Sequence, residues 1–325
     1  MRLEFAPLDG ITKTVFRQVW RARFGGADRY FLPFISPTDQ HIFTDKMRRE
    51  LSAEPDELPA LVPQIMTRRA DDFLWAADVL AGMGFREVNL NLGCPSGTVT
   101  AKGKGSGLLL YPDELAAMLE EICRKSPLPV SVKTRLGYRE PEEFPALLEI
   151  FNRCPVKSLI VHPRTRPEKY KGPIHTGAFA LAAEQSRNPL CYNGEIRTPE
   201  DAAEIQARFP SLDALMIGRG AVADPALFRK LKGGPAATRE ELQDFTAQLY
   251  QRYQDFYGAV EPSSKTEAAS QRMKEVWFYL IHLFDDRKRY GSQMRRSRGS
   301  REYLRWQAAI LQELPLRDHS EGPLA

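Results

Sequence analysis

Eight short runs of strand-forming residues, at 2–8, 30–36, 60–66, 87–93, 129–136, 158–164, 189–196 and 214–220, alternate with helical stretches. Helical periodicity marks 71–83, 112–125, 142–153 and 199–209 between them. Pro112 and Pro199 stand where a first helical turn tolerates proline, and the acidic residues after each suit a helix N-terminus. Eight repeats of strand then helix predict an α/β fold closed as a (β/α)8 TIM barrel. An open doubly wound sheet is the competitor, but no G-x-G-x-x-G follows the first strand. Beyond the turn-rich Lys232-Gly233-Gly234-Pro235 the pattern is helical only, at 239–257, 265–284 and 299–311. The reading is a barrel over 1–235, a small all-α bundle over 236–318 and a flexible tail at 319–325.

Hydrophobic content of 42% and charged content of 27% describe a chain with a sizeable core. No apolar run is long enough for a membrane span. Met1-Arg2 leads into the first strand with no signal peptide, which predicts a cytoplasmic protein. Cys94, Cys123, Cys154 and Cys191 show neither C-x-x-C pairing nor a histidine at ligand spacing, so no metal site and no disulfide scaffold is expected. A monomer is expected.

Barrel chemistry gathers at the C-terminal ends of the strands. Here those ends carry Pro7-Leu8, Gln64, Asn91 to Cys94, Lys133 and Arg135, His162, Asn193-Gly194-Glu195 and Gly218-Arg219. A barrel without a site would have no reason to place these groups on one rim. Asn193-Gly194 and Gly218-Arg219-Gly220 close the last two strands, where barrels commonly cup a phosphate: glycine lets backbone N–H groups approach the anion and arginine adds charge. By alternation Lys133 and Arg135 share a face with Ser131, and two cations aimed into a barrel need an anionic or electron-rich partner. A salt bridge to a distant acid, a flavin whose reduced ring is anionic, and a Schiff-base lysine all meet that need.

Within 87–110, alternation sets Asn89 and Asn91 opposite Val88, Leu90 and Leu92, and the strand breaks at Gly93 to present Cys94 before Pro95. Such a thiol is either an ordinary buried one or a group held rigidly beside a ligand. The glycine- and lysine-rich run 102–107 reads as a mobile lip.

In the bundle, 287–305 carries eight basic residues against one acid, Glu302, with Tyr290, Tyr303 and Trp306 interleaved or adjacent. The net charge of +4 is mild, so this is a local stripe: a solvated helix face or a nucleic-acid surface.

Taken together, Ala6-Pro7-Leu8-Asp9-Gly10, Asn91-Leu92-Gly93-Cys94-Pro95-Ser96, 102–107, Val132-Lys133-Thr134-Arg135-Leu136-Gly137, His162-Pro163-Arg164-Thr165, Asn193-Gly194-Glu195-Ile196 and Ile217-Gly218-Arg219-Gly220 resemble the tRNA-dihydrouridine synthases. The matches span the barrel in that family's order, and the last two runs look closest to its bacterial C-type branch. The resemblance implies an FMN- and NADPH-dependent reduction of the C5=C6 bond of tRNA uridines. Hydride would pass from flavin N5 to C6 and a proton from Cys94 to C5. Pro7, Leu8, Gln64, Lys133, His162, Asn193, Gly194, Glu195, Gly218 and Arg219 would surround FMN. Asn91, Arg135 and Tyr170 would face the uracil. Arg272, Lys274, Arg295, Arg296 and Arg298 are the candidates for gripping tRNA phosphates. Three features depart from the family pattern: Leu8 where Met is usual, Pro163 where Gly follows the His, and Leu-Pro-Phe-Ile-Ser ending the second strand. The rival readings are a dihydroorotate dehydrogenase-like reductase of free pyrimidines and a non-catalytic tRNA-binding module.

Overall fold

The computed structural model describes residues 1–38, 40–260 and 263–321. Nine parallel strands form one sheet: β1 (Arg2–Phe5), β2 (Arg29–Phe31), β3 (Leu61–Val62), β4 (Gln64–Ile65), β5 (Val88–Leu92), β6 (Val130–Arg135), β7 (Leu159–His162), β8 (Leu190–Tyr192) and β9 (Ala214–Ile217). Their order is β3-β2-β1-β9-β8-β7-β6-β5-β4. Only Pro63 separates β3 from β4. It has no N–H to give to the ladder, so the expected third strand is cut in two. Its halves still pair on opposite sides, Leu61 with Tyr30 and Gln64 with Asn89, and this bridges the ring. The barrel is therefore the expected eight-stranded one with its third strand interrupted.

Helices cover the barrel as the periodicity implied, among them Ala70–Gly82, Pro112–Lys125, Phe144–Asn152 and Pro199–Arg208. The last opens on a capping box between Thr198 and Asp201. The helical part of the chain is built from Arg239–Gly258, Lys265–Leu280, Arg287–Arg296 and Gly299–Glu313. The third of these lacks the apolar spacing by which the others were legible, since basic residues fill it.

Phe245 of the first of these helices packs edge-on against Phe16 and Phe24 from the barrel side, at centroid distances of 6.1 and 5.3 Å. One continuous apolar core thus runs from barrel to helices. It fixes the helix Lys265–Leu280 over the barrel mouth. Of residues 319–321, expected in a loose tail, two are tied down: Ser320 is buried, and Glu321 donates its N–H to the His282 carbonyl at 3.1 Å while its own carbonyl accepts from the His282 ring at Nδ1, 2.8 Å away. Residues 322–325 lie outside the described residues. No helix among the described residues is long and apolar enough to cross a membrane.

Candidate active site

The strand ends open onto a single cavity of about 710 Å³. Of the rim residues named above, all line it except Leu92, which is buried in the apolar core, and Glu195, which lines a hollow of about 30 Å³ between the two glycine loops. Phe278 and Tyr279 of the helix Lys265–Leu280 form part of the mouth. Nothing in Val276-Trp277-Phe278-Tyr279-Leu280 separates core from mouth by sequence, and only the docking of that helix makes the distinction.

Cys94 sits on a turn braced from three directions. The Asn91 side-chain oxygen accepts from the backbone N–H groups of Gly93 and Cys94, both at 3.0 Å. Arg135 Nε donates to the Gly93 carbonyl at 2.7 Å. Ser106 donates its hydroxyl to the Cys94 carbonyl at 2.8 Å. The thiol faces the cavity, half-buried, and burial is the main cause pushing its pKa up; Asp9 adds to this, while the Ser96 N–H first, then Arg135 and Lys133, oppose it. The thiol therefore keeps its proton at neutral pH.

The run 102–107 is not a loose lip. Gly105, Ser106 and Gly107 are buried in a tight turn over 105–110. Gly105 has φ +57, and a Cβ there would meet the Cys94 Cβ at 2.9 Å. Gly105 lets this turn pack against the cysteine, and Gly107 lets it pack against the Thr100 backbone, which a Cβ would meet at 2.7 Å. Only Lys102 in this run is fully exposed.

No described group accepts a hydrogen bond from Lys133 Nζ. Burial, with Arg135 second, pulls this ammonium down to about 7. Around it the charge is mostly positive. Buried Arg164 lies between His162 and Glu195, with Nη1 3.4 Å from His162 Nε2 and Nη2 3.0 Å from the Glu195 carboxylate. A guanidinium only donates, so His162 accepts at Nε2 and its proton sits on Nδ1. Burial first, then Arg135, Lys133, Arg164 and Arg219, holds His162 well below its usual pKa and therefore neutral. Arg219 shares the Glu195 carboxylate at 2.7 Å. Arg164 was visible in the sequence only as part of a motif; its contacts make it the link between the histidine and the phosphate-side loops. The stiff Pro163 leaves it aimed inward.

The three residues expected on the substrate side are also brought together. Arg135 spends Nη1 on the carbonyls of Thr165 and Lys169, at 2.9 and 2.8 Å. The exposed Tyr170 ring lies close to two guanidinium groups, with Arg135 and Arg219 each 5.3 Å from its centroid. Arg135 and Asn91 therefore hold the site's backbone as well as lining it.

The glycine loops pack closely. Asn193 ties β8 to β9 by donating to the Met216 carbonyl at 2.8 Å. A Cβ on Gly220 would overlap the Ile196 carbonyl oxygen, which no rotamer relieves. Gly220→Ala is expected to force the two loops apart at a cost of about 1–3 kcal/mol. The fall should show in thermal unfolding, together with weaker anion binding at the loops.

The five cations expected to grip RNA divide into two groups. Arg295, Arg296 and Arg298 are exposed. Arg272 and Lys274 are half-buried: Arg272 donates to the Gly10 carbonyl at 2.9 Å and to Glu275 at 2.6 Å, and Lys274 donates to the Ser297 carbonyl at 3.1 Å. These two fasten the mouth helix to the barrel and to its neighbouring helix.

A profile of the family described as Dihydrouridine synthase (Dus) matches residues 4–312. A probable tRNA-dihydrouridine synthase of Staphylococcus aureus (strain COL) is 35% identical over 233 residues, 69% of this chain and 70% of its own. The tRNA-dihydrouridine synthase B of Pasteurella multocida (strain Pm70) is 30% identical over 232 residues, 71% of this chain and 69% of its own. Among solved structures, the old yellow enzyme from Trypanosoma cruzi superposes with a TM-score of 0.50 at 11% identity, over 73% of this chain and 90% of that one. That likeness is one of fold.

Proposed function

The chain belongs to the dihydrouridine synthase family, and from that premise we propose that its rim cavity reduces the C5=C6 bond of uridines in tRNA, with FMN as cofactor and NADPH as electron donor. One observation carries the reading: a thiol on a braced turn and an unpartnered ammonium share one cavity, in which positive charge predominates. A cavity of that kind calls for an anionic ligand of some size.

The donor set fits a flavin mononucleotide. The glycine loops at 194 and 218, with Arg219, suit its phosphate. Lys133 suits the anionic edge of a reduced ring, and the uncharged His162 and Gln64 suit its polar atoms. Leu8 and Pro7 offer an apolar wall. Bound FMN supplies hydride for uracil C6 and is replenished by NADPH.

The remaining chemistry belongs to the chain. Cys94 gives its proton to C5, and its raised pKa keeps that proton available at neutral pH. Asn91, Arg135 and Tyr170 take the uracil side, where guanidinium and amide donors stabilise charge developing on the base carbonyls. The base must leave its stack to reach this depth. Residues 1–235 form the catalytic part, and 236–318 hold the tRNA through Arg295, Arg296 and Arg298, with Arg272 and Lys274 positioning the mouth helix.

Purified protein incubated with NADPH and tRNA lacking the modification is expected to be yellow and to yield dihydrouridine, read by nucleoside mass spectrometry. A yellow protein active only on free pyrimidines would overturn the reading in favour of a small-molecule reductase. A colourless protein that binds tRNA would overturn it in favour of a non-catalytic module.

A further inference from the structure

Five polar side chains form an unbroken hydrogen-bonded line from the N-terminal end of the barrel to the cysteine turn. Glu87, just before β5, accepts from the Ser131 hydroxyl at 2.7 Å. Ser131 Oγ accepts from Asn89 Nδ2 at 2.9 Å. Asn89 Oδ1 accepts from Gln64 Nε2 at 2.7 Å. Gln64 Oε1 accepts from Asn91 Nδ2 at 2.5 Å, and Asn91 Oδ1 receives the N–H groups of Gly93 and Cys94. Gln64, Asn89 and Ser131 are register partners across β4, β5 and β6, so they form one layer inside the barrel, and Asn91 stands one layer nearer the rim. All five are buried.

We propose that Glu87 and Ser131, which lie outside the cavity, are positioning residues that fix the Asn91 carboxamide and through it the placement of Cys94. A side-chain amide can present either end to a neighbour, and in isolation both orientations are close in energy. Here the two ends of the line remove that freedom. Backbone N–H groups only donate, so Asn91 must turn its oxygen to the cysteine turn and its nitrogen to Gln64. Each following amide is then obliged to point the same way. The hydroxyl proton of Ser131 must leave the line, and the Glu87 carboxylate, paired with Arg29 and with Lys157, is there to accept it. If that acceptor is lost, Ser131 can turn its proton towards Asn89, and the amides can flip in sequence. A flipped Asn91 would set an NH2 group against two N–H groups and displace the turn. The inference rests on the role proposed for Cys94.

Ser131→Ala removes the link, Ser131→Thr keeps a hydroxyl, and Glu87→Gln replaces the obligatory acceptor with an ambiguous one. In the FMN-loaded protein, Ser131→Ala is expected to retain flavin and its reduction by NADPH. Its kcat for dihydrouridine formation should fall about 10-fold to 100-fold, with KM for tRNA unchanged. Ser131→Thr should restore kcat to within about threefold of the parent, and Glu87→Gln should fall between. Independently of turnover, iodoacetamide labelling of the Cys94 peptide, followed by mass spectrometry across pH, should change in rate or midpoint in Ser131→Ala and not in Ser131→Thr. A folded, flavin-bound Ser131→Ala with parental kcat and parental labelling overturns the proposal, as does a loss confined to KM. Should Ser131→Ala fail to fold, the same two readouts on Glu87→Gln decide it. If the parent makes no dihydrouridine, the functional reading fails, and the labelling profile still decides whether the line positions Cys94.

Discussion

Cys94→Ala is expected to leave a yellow protein that NADPH still reduces, while dihydrouridine formation falls by about 100-fold to 10,000-fold, the range for loss of a positioned general acid. The split follows from geometry. The thiol makes no hydrogen bond to the groups that fit the flavin, and its turn is held by backbone contacts that alanine leaves in place: Asn91 on the N–H side, Arg135 and Ser106 on the carbonyl side. Stability should change little, since the side chain is half-buried and faces the cavity. In the parent, burial raises the thiol pKa, so activity should hold through neutral pH. It should fall only above the ordinary thiol range, as the proton is lost. Rapid-mixing absorbance of the flavin and nucleoside mass spectrometry measure the two halves separately. Product formation at the parental rate would remove Cys94 from the mechanism.

Lys133→Met is expected to have opposite effects on ligand binding and on the ligand-free fold. Without the ammonium the cavity loses its unpartnered cation, and flavin should be lost on dialysis under conditions where the parent retains it. The ligand-free protein should gain stability. Lys133 falls from 10.5 to about 7 on folding, which corresponds to about 5 kcal/mol of burial cost at full protonation. The sign follows from proton counts: between pH 7 and pH 10.5 the unfolded chain holds the proton that the folded chain has released, so stability rises with pH across that window. Below pH 7 the cost is paid in full. Ligand-free Lys133→Met should therefore unfold roughly 5–10 °C higher at neutral pH, with the gap closing as pH approaches 10.5. Thermal unfolding of flavin-stripped protein at neutral and alkaline pH tests this. Equal flavin retention, or a gap independent of pH, would show that Lys133 has a partner in solution.

Several features of the site were legible because they depend only on short-range order. Alternation in Val130-Ser131-Val132-Lys133-Thr134-Arg135 put Lys133 inside, and the break at Gly93 put Cys94 at the rim. The family motifs supplied the expected roles. What escaped were contacts whose two ends are distant in sequence. Asn91 could be read as facing a ligand, yet its oxygen is spent on the cysteine turn. Arg272 and Lys274 were expected to grip RNA phosphates, yet they fasten the mouth helix to Gly10 and Ser297. The glycines of 102–107 suggested looseness, whereas close packing against Cys94 and the Thr100 backbone is what requires Gly105 and Gly107.

The sequence by itself determined the eightfold plan of strand and helix, the inward direction of Lys133 and Arg135 and the chemical types available at the site. These follow from the two-residue period of a strand and from local turn chemistry. Tertiary structure alone decided which donor meets which acceptor. The polarity of the line from Glu87 to Cys94 depends on the register of β4, β5 and β6. The positive charge of the cavity depends on ring closure bringing Arg164 and Arg219 near Lys133. Both are set by pairing between distant segments, and the pattern within any one segment carries no record of it.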